Sequence, residues 1–141
     1  MVNDILRSID KQIEELKNPW PEKAKALARD IYDWCKVNDV WGDNTIYFNK
    51  KAWSNSSTWG IENGKCIDDE LYEYPCKNPK DYFEYVREPN ILSMSFEGDL
   101  YYVLNGYISN WELEEEFLAL FEKYGLYYEM GHAWNLSAYE I

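Results

Sequence analysis

Residues Ser109 to Tyr124, SNWELEEEFLALFEKY, decide how the second half of the chain folds. Ser109 followed by Glu112 makes an S-x-x-E capping box. The serine hydroxyl can accept from an early backbone N–H, and the glutamate can accept from the serine N–H. At 100° per residue, Leu113, Phe117, Leu120, Phe121 and Tyr124 share one face, and Glu112, Glu115, Glu116 and Glu122 share the other. Glu112, Glu114 and Glu115 fall in the first turn, where the helix dipole favours negative charge. Lys123 suits the opposite pole, and Gly125 is a natural left-handed stop. The stretch predicts an amphipathic helix with an acidic outer face. That face is either a solvated surface that helps start the helix or a binding surface.

Charge around the helix bears on the choice. The chain has 141 residues, 46% hydrophobic, with a net charge of −12. That is enough for one domain with a sizeable core. Residues 1–60 hold nine acids and nine bases, whereas residues 88–141 hold ten acids and a single base, Lys123. Such a C-terminal half is unsuited to direct contact with DNA, RNA or an anionic membrane. It suits a basic protein partner. Aromatic residues make up 18% of the chain, with 7 Trp and 13 Tyr, which implies dense aromatic packing or an exposed aromatic surface.

Working outward, the spacing of Ile5, Ile9, Ile13 and Leu16 predicts a first helix from a cap at Asn3 to about Lys17. Asn18-Pro19-Trp20-Pro21 breaks it, and Pro21 fits the first turn of a second helix. Its buried face is Ala24, Leu27, Ala28, Ile31, Trp34 and Cys35, and Asn38 stops it. The pair reads as an antiparallel hairpin over residues 1–38. The mixed part, 44–141, opens with a strand at Thr45–Phe48. Residues 52–60, with Trp53 and Trp59, read as a loop or an irregular edge strand, Asn63-Gly64 as a turn, and 52–66 as the mobile region. Asn78-Pro79 starts a short helix through Val86 with Tyr82, Phe83 and Val86 facing inward. Leu92, Met94 and Phe96 mark one face of a strand. Leu100–Leu104 is ambiguous and is assigned as a short helix capped by Asp99. Leu126–Met130 and Trp134–Tyr139 read as a closing hairpin. The expectation is a single α+β domain: a helical hairpin and a small antiparallel sheet of about four strands, with helices on one face.

The sequence carries no catalytic signature. Its one histidine, His132, lies in an expected turn, and no G-x-S-x-G, phosphate-binding glycine loop or H-E-x-x-H is present. Cys35, Cys66 and Cys76 form no C-x-x-C pair, so no zinc site is expected. The acidic run Asp68-Asp69-Glu70 lacks a calcium-loop pattern. No metal and no cofactor is expected. A charged amphipathic N-terminus and the lack of a long apolar run place the protein in the cytoplasm with free thiols.

The resulting expectation is a non-enzymatic inhibitor. Its carboxylates would mimic phosphates and occupy the basic nucleic-acid site of a DNA- or RNA-processing protein. Glu112, Glu115, Glu116 and Glu122 form the main row; Glu97, Asp99 and Glu129 extend it if the strands pack nearby, and Trp111 adds an aromatic contact. In size, charge and missing catalytic groups the chain resembles the small acidic anti-restriction and anti-CRISPR proteins of phages and mobile elements. No motif identifies a family, and no residue role transfers. A second reading is a protein-interaction module, such as a toxin immunity protein, in which exposed Trp53, Trp59 and Trp111 act as anchors. A third is carbohydrate binding, or hydrolysis by paired carboxylates, with Glu97, Asp99 and Glu129 beside Tyr101, Tyr102, Tyr127, Tyr128 and Trp134.

Overall fold

The computed structural model describes residues 18–56, 64–76, 78–107 and 111–141. The first expected helix, the capping box at Ser109, Trp59 and Asn63 of the Asn63-Gly64 turn lie outside these residues. What remains is an α+β arrangement. Helix α1 is Trp20–Val37. Strands β1 (Asn44–Phe48), β2 (Lys51–Ser54), β3 (Lys65–Asp68) and β4 (Leu71–Pro75) follow, then a 3-10 turn, Pro79–Asp81. Next come β5 (Leu92–Phe96), α2 (Asp99–Leu104), α3 (Trp111–Glu122), β6 (Leu126–Met130) and β7 (Asn135–Glu140). The strands form one seven-stranded sheet in the order β3-β4-β2-β1-β5-β7-β6, and every neighbouring pair is antiparallel.

Strand alternation sorts the side chains. Ile46, Phe48, Trp53, Leu71, Leu92, Met94, Phe96, Leu126, Leu136 and Ala138 meet the apolar faces of the three helices in the main core. α1 buries Ala24, Leu27, Ala28, Ile31 and Cys35 as its spacing predicts. Trp34 is only half-buried, and Tyr32 takes the extra inward position. Burial holds the Cys35 thiol up at about 12, so it stays protonated and behaves as a small core residue. Across the sheet, Tyr47, Ala52 and Phe83 form a smaller cluster with Val86 and Trp134.

Seven strands replace the expected four. β2, β3 and β4 escape a reading based on apolar alternation for separate reasons. β2 is a tight hairpin partner of β1, joined through Asn49 and Lys50, both with positive φ. That is the conformation of a two-residue hairpin turn, and Lys50 is an unusual residue for it. Its Trp53 is therefore core, 3% exposed, with its indole N–H donating to Glu73 at 3.0 Å. β3 is an exposed edge strand without an apolar face. β4 carries aromatics and a carboxylate on alternating sides.

The expected helix through Val86 shortens to the single turn at Pro79–Asp81. Asn78 caps it as expected, its side chain accepting from the Lys80 N–H. Beyond that turn the chain places Phe83 against Tyr47 and Trp134, which covers the sheet, and Tyr82 is left 51% exposed. The Leu100–Leu104 helix is present, but Gly98 occupies its N-cap and Asp99 is its first residue.

The acidic run after β3 is a fold clamp. Arg29 on α1 pairs with Asp68 at 2.5 Å, and Lys36 pairs with Asp69 and Glu70 at 3.1 and 3.3 Å. The Tyr32 hydroxyl donates to the Asp69 carbonyl, and the Trp41 indole donates to the Glu70 carbonyl. The backbone N–H of Asp69 and then the Arg29 guanidinium hold the Asp68 carboxyl below the ordinary aspartate range. A depressed folded value means this stabilisation is present above the unfolded pKa of about 4 and is lost as pH falls through the folded one. Acidification should release β3 and β4 from α1 before the main core opens. Amide NMR signals of residues 65–75 should therefore broaden first, and Arg29→Met should reproduce the effect at neutral pH. Simultaneous loss of α1 and α3 signals would show that the clamp is not a local device.

Candidate functional site

α3 is held in one rotation by its aromatic side. Phe117 and Phe121 are fully buried. Both rings pack on Tyr128 of β6, at centroid distances of 5.6 and 5.1 Å, and Phe117 also meets Trp34 of α1 at 5.4 Å. At the helix end, Lys123 pairs with Asp30 of α1 at 3.2 Å, and the Tyr124 hydroxyl donates to the same carboxylate at 2.5 Å. These contacts leave the opposite side of the helix to solvent. Glu112, Glu115, Glu116 and Glu122 are exposed there, and Glu114 is exposed on the flank beside Phe117 and Phe121.

Surface acids divide into paired and unpaired ones, and Glu22, Asp39, Asp81, Asp99 and Glu140 are, like the α3 glutamates, exposed without a described Lys or Arg pair. Asp30, Asp33, Asp68, Asp69, Glu70, Glu73, Glu88 and Glu129 each lie within 4.0 Å of a Lys or Arg nitrogen. Among the described residues, no α3 glutamate forms such a pair. Glu116 accepts one hydrogen bond, from the Trp34 indole at 3.2 Å, which fixes its carboxylate at the α1–α3 seam. Burial, with Glu114 on the flank of α3 adding to it, pushes the Tyr128 phenol up to about 12. From Glu112 to Glu122 the helix rises about 15 Å, so the four outer carboxylates are spaced on average about 5 Å along it. A single nucleic-acid strand carries about one per 3.4 Å.

Exposed aromatics stand at the start of this helix. Trp111 is 66% exposed and Tyr107 is 70% exposed. Tyr107 stacks on Tyr101 and meets Tyr102 edge-on, so the loop after α2 presents a small tyrosine cluster. Trp53, expected as an exposed anchor, is instead core.

The remaining expected acids separate. Asp99 is exposed at the start of α2. Glu129 alternates with Tyr128 on β6 and so points to the sheet face away from the helices. There its carboxylate accepts from Arg87 at 2.7 Å and from the Tyr127 hydroxyl at 3.1 Å. Glu97 follows β5 and lines a cavity on that same helix-free face, with Asp43, Ser95 and Trp134. The structure thus gathers the α3 row but places Glu97 and Glu129 behind the sheet. Sequence reasoning did not single out Asp43 as a site residue, because Asp43-Asn44 reads only as a turn. It also missed the helix-free face, whose signal was the serines alternating with Leu92, Met94 and Phe96.

His132 stacks flat on Trp134 and lies 3.9 Å from Glu84. No group of three or more His, Cys, Asp or Glu side chains is placed to hold a metal ion among the described residues. Nor is any helix among them long and apolar enough to cross a membrane. Compared with protein-family models, curated proteins and solved structures, the chain matches none.

Proposed function

We propose that this chain is a non-catalytic acidic binding protein that docks α3 into the basic nucleic-acid site of a DNA- or RNA-processing protein. The observation that carries the reading is the exposed row Glu112, Glu115, Glu116 and Glu122, without a described cationic partner, on a helix whose rotation is fixed from behind. Carboxylates, like phosphates, accept paired N–H bonds from arginine. Rigid presentation lowers the ordering cost of association. Trp111 at the head of the row adds an aromatic contact of the kind that dominates protein interfaces. Asp99 extends the acidic surface on α2; Glu97 and Glu129 are not part of it.

The experiment is capture of partners from a host lysate on the full chain at low and moderate salt, with duplex DNA and single-stranded RNA as competitors. The expected result is a nucleic-acid enzyme that either competitor displaces and that elutes steeply with salt. Retention of every partner in the presence of both competitors would overturn the reading. The exposed Tyr102, Tyr107 and Trp111 support a second one, an aromatic-centred protein interface of the immunity-protein type. It predicts weak salt dependence and loss of capture on Trp111→Ala alone.

A further inference from the structure

The helix-free face of the sheet carries a row of small polar side chains where an apolar row would pack better. Thr45 on β1 is paired with Ser54 on β2 and with Ser95 on β5, and Ser95 is paired with Asn135 on β7. Neighbouring strands lie about 4.8 Å apart, so these groups form one continuous polar rung. Thr45, Ser54 and Asn135 are buried. Because the side chains are short, they leave a hollow of about 470 Å³ above them. This falls in the range of small-molecule sites, about 300–1,000 Å³.

The walls of the hollow are chemically mixed. Phe83 and Trp134 line one side, and Asn55 and Ser56 another. Tyr47 lines the hollow from the same strand face as Thr45. Burial raises its pKa above the ordinary tyrosine value, so it remains a neutral phenol. Asp43 and Glu97 stand together at the rim. The Glu97 N–H donates to the Asp43 carbonyl at 3.2 Å. The two loops touch because residue 98 is glycine: a Cβ there would lie 2.4 Å from the Gly42 carbonyl oxygen. Ser54 accepts from the Ser56 N–H and has no described acceptor for its own hydroxyl hydrogen, although its side chain is buried. Among the described residues, no lysine or arginine lines the hollow.

We propose that this cavity binds a neutral polyhydroxylated ligand of one or two sugar rings. Two acidic residues lining the hollow without a lining cation disfavour phosphates and organic acids. Hydroxyl groups suit the site, because each can donate to a carboxylate and also accept from Ser54. The apolar C–H side of a sugar ring suits the Phe83 and Trp134 surfaces. The site is independent of the acidic α3 surface, which lies across the sheet.

The test is NMR titration of the full chain with a panel of neutral mono- and disaccharides. The signals followed are the Ser54 and Ser95 amides and the Trp134 indole. At least one sugar is expected to shift these signals together. Ser54→Ala and Glu97→Gln should each weaken that binding about tenfold, a loss of about 1.4 kcal/mol. Trp134→Phe provides a further variant if either fails to fold, judged by its thermal midpoint. Reversing Glu112, Glu115 and Glu116 to lysine should leave sugar binding unchanged, so failure of the cavity proposal is distinguishable from failure of the α3 reading. The proposal is overturned if no sugar moves these signals at millimolar concentration. It is equally overturned if only a protonated amine such as putrescine does so, or if the shifts map elsewhere on the chain.

Discussion

Reversal of Glu112, Glu115 and Glu116 to lysine is expected to abolish capture of the basic partner by at least about a thousandfold. Removing one member of a buried charge pair at an interface costs about 2–5 kcal/mol, and placing like charges together costs several more. Three such changes within one turn exceed the roughly 4 kcal/mol that corresponds to a thousandfold. The fold should survive. All three side chains are exposed, and none forms a described ion pair. The folding cost is limited to the Trp34 hydrogen bond to Glu116, about 1 kcal/mol, and a dipole penalty near the helix start of about 0.3–1 kcal/mol. Far-UV circular dichroism and the thermal midpoint check folding, and capture with nucleic-acid competition checks binding. A folded variant that still binds a DNA-displaceable partner would remove α3 from the interface.

Phe117→Ala is expected to destabilise the fold by about 3–5 kcal/mol, the upper range for a single core truncation. Phe117 joins the elements that fix the acidic face: Trp34 of α1, Phe121 of α3 and Tyr128 of β6. Its removal opens a cavity at that junction, and neighbours anchored on a sheet and a second helix can close it only in part. Against a typical total of about 5–15 kcal/mol, the loss corresponds to a fall in thermal midpoint of roughly 10–20 °C. Urea unfolding monitored by circular dichroism measures it. A change below about 1 kcal/mol would mean that α3 does not pack on β6.

Both outcomes rest on a division of α3 that is local in origin. The partition into Phe117 and Phe121 inside and Glu112, Glu115 and Glu116 outside follows from spacing alone, because a helix repeats every 3.6 residues wherever it docks. The same holds for Ala24, Leu27, Ala28 and Ile31 in α1. The hairpin Leu126–Met130 with Asn135–Glu140, and the alternation of Leu92, Met94 and Phe96, are legible for the corresponding reason in strands.

Other features depend on contacts between distant positions. Trp53 reads as an exposed loop residue beside Ser54 and Asn55. Pairing of its neighbours with β1 and β4 turns it into the core. Asp68, Asp69 and Glu70 read as a free acidic run until Arg29 and Lys36, more than thirty residues earlier, reach them. Glu97 and Glu129 read as extensions of the acidic row, yet strand parity sends Glu129 behind the sheet, and the Gly98 contact sets Glu97 beside Asp43. The sequence alone determined the faces of the long helices, the closing hairpin and the uneven distribution of charge. These are local periodicities and sums that do not depend on neighbours. Only the tertiary structure decided which strands complete the sheet, which acids are neutralised and which meet at one cavity. Those outcomes rest on register between segments far apart in the chain, and no local pattern encodes that register.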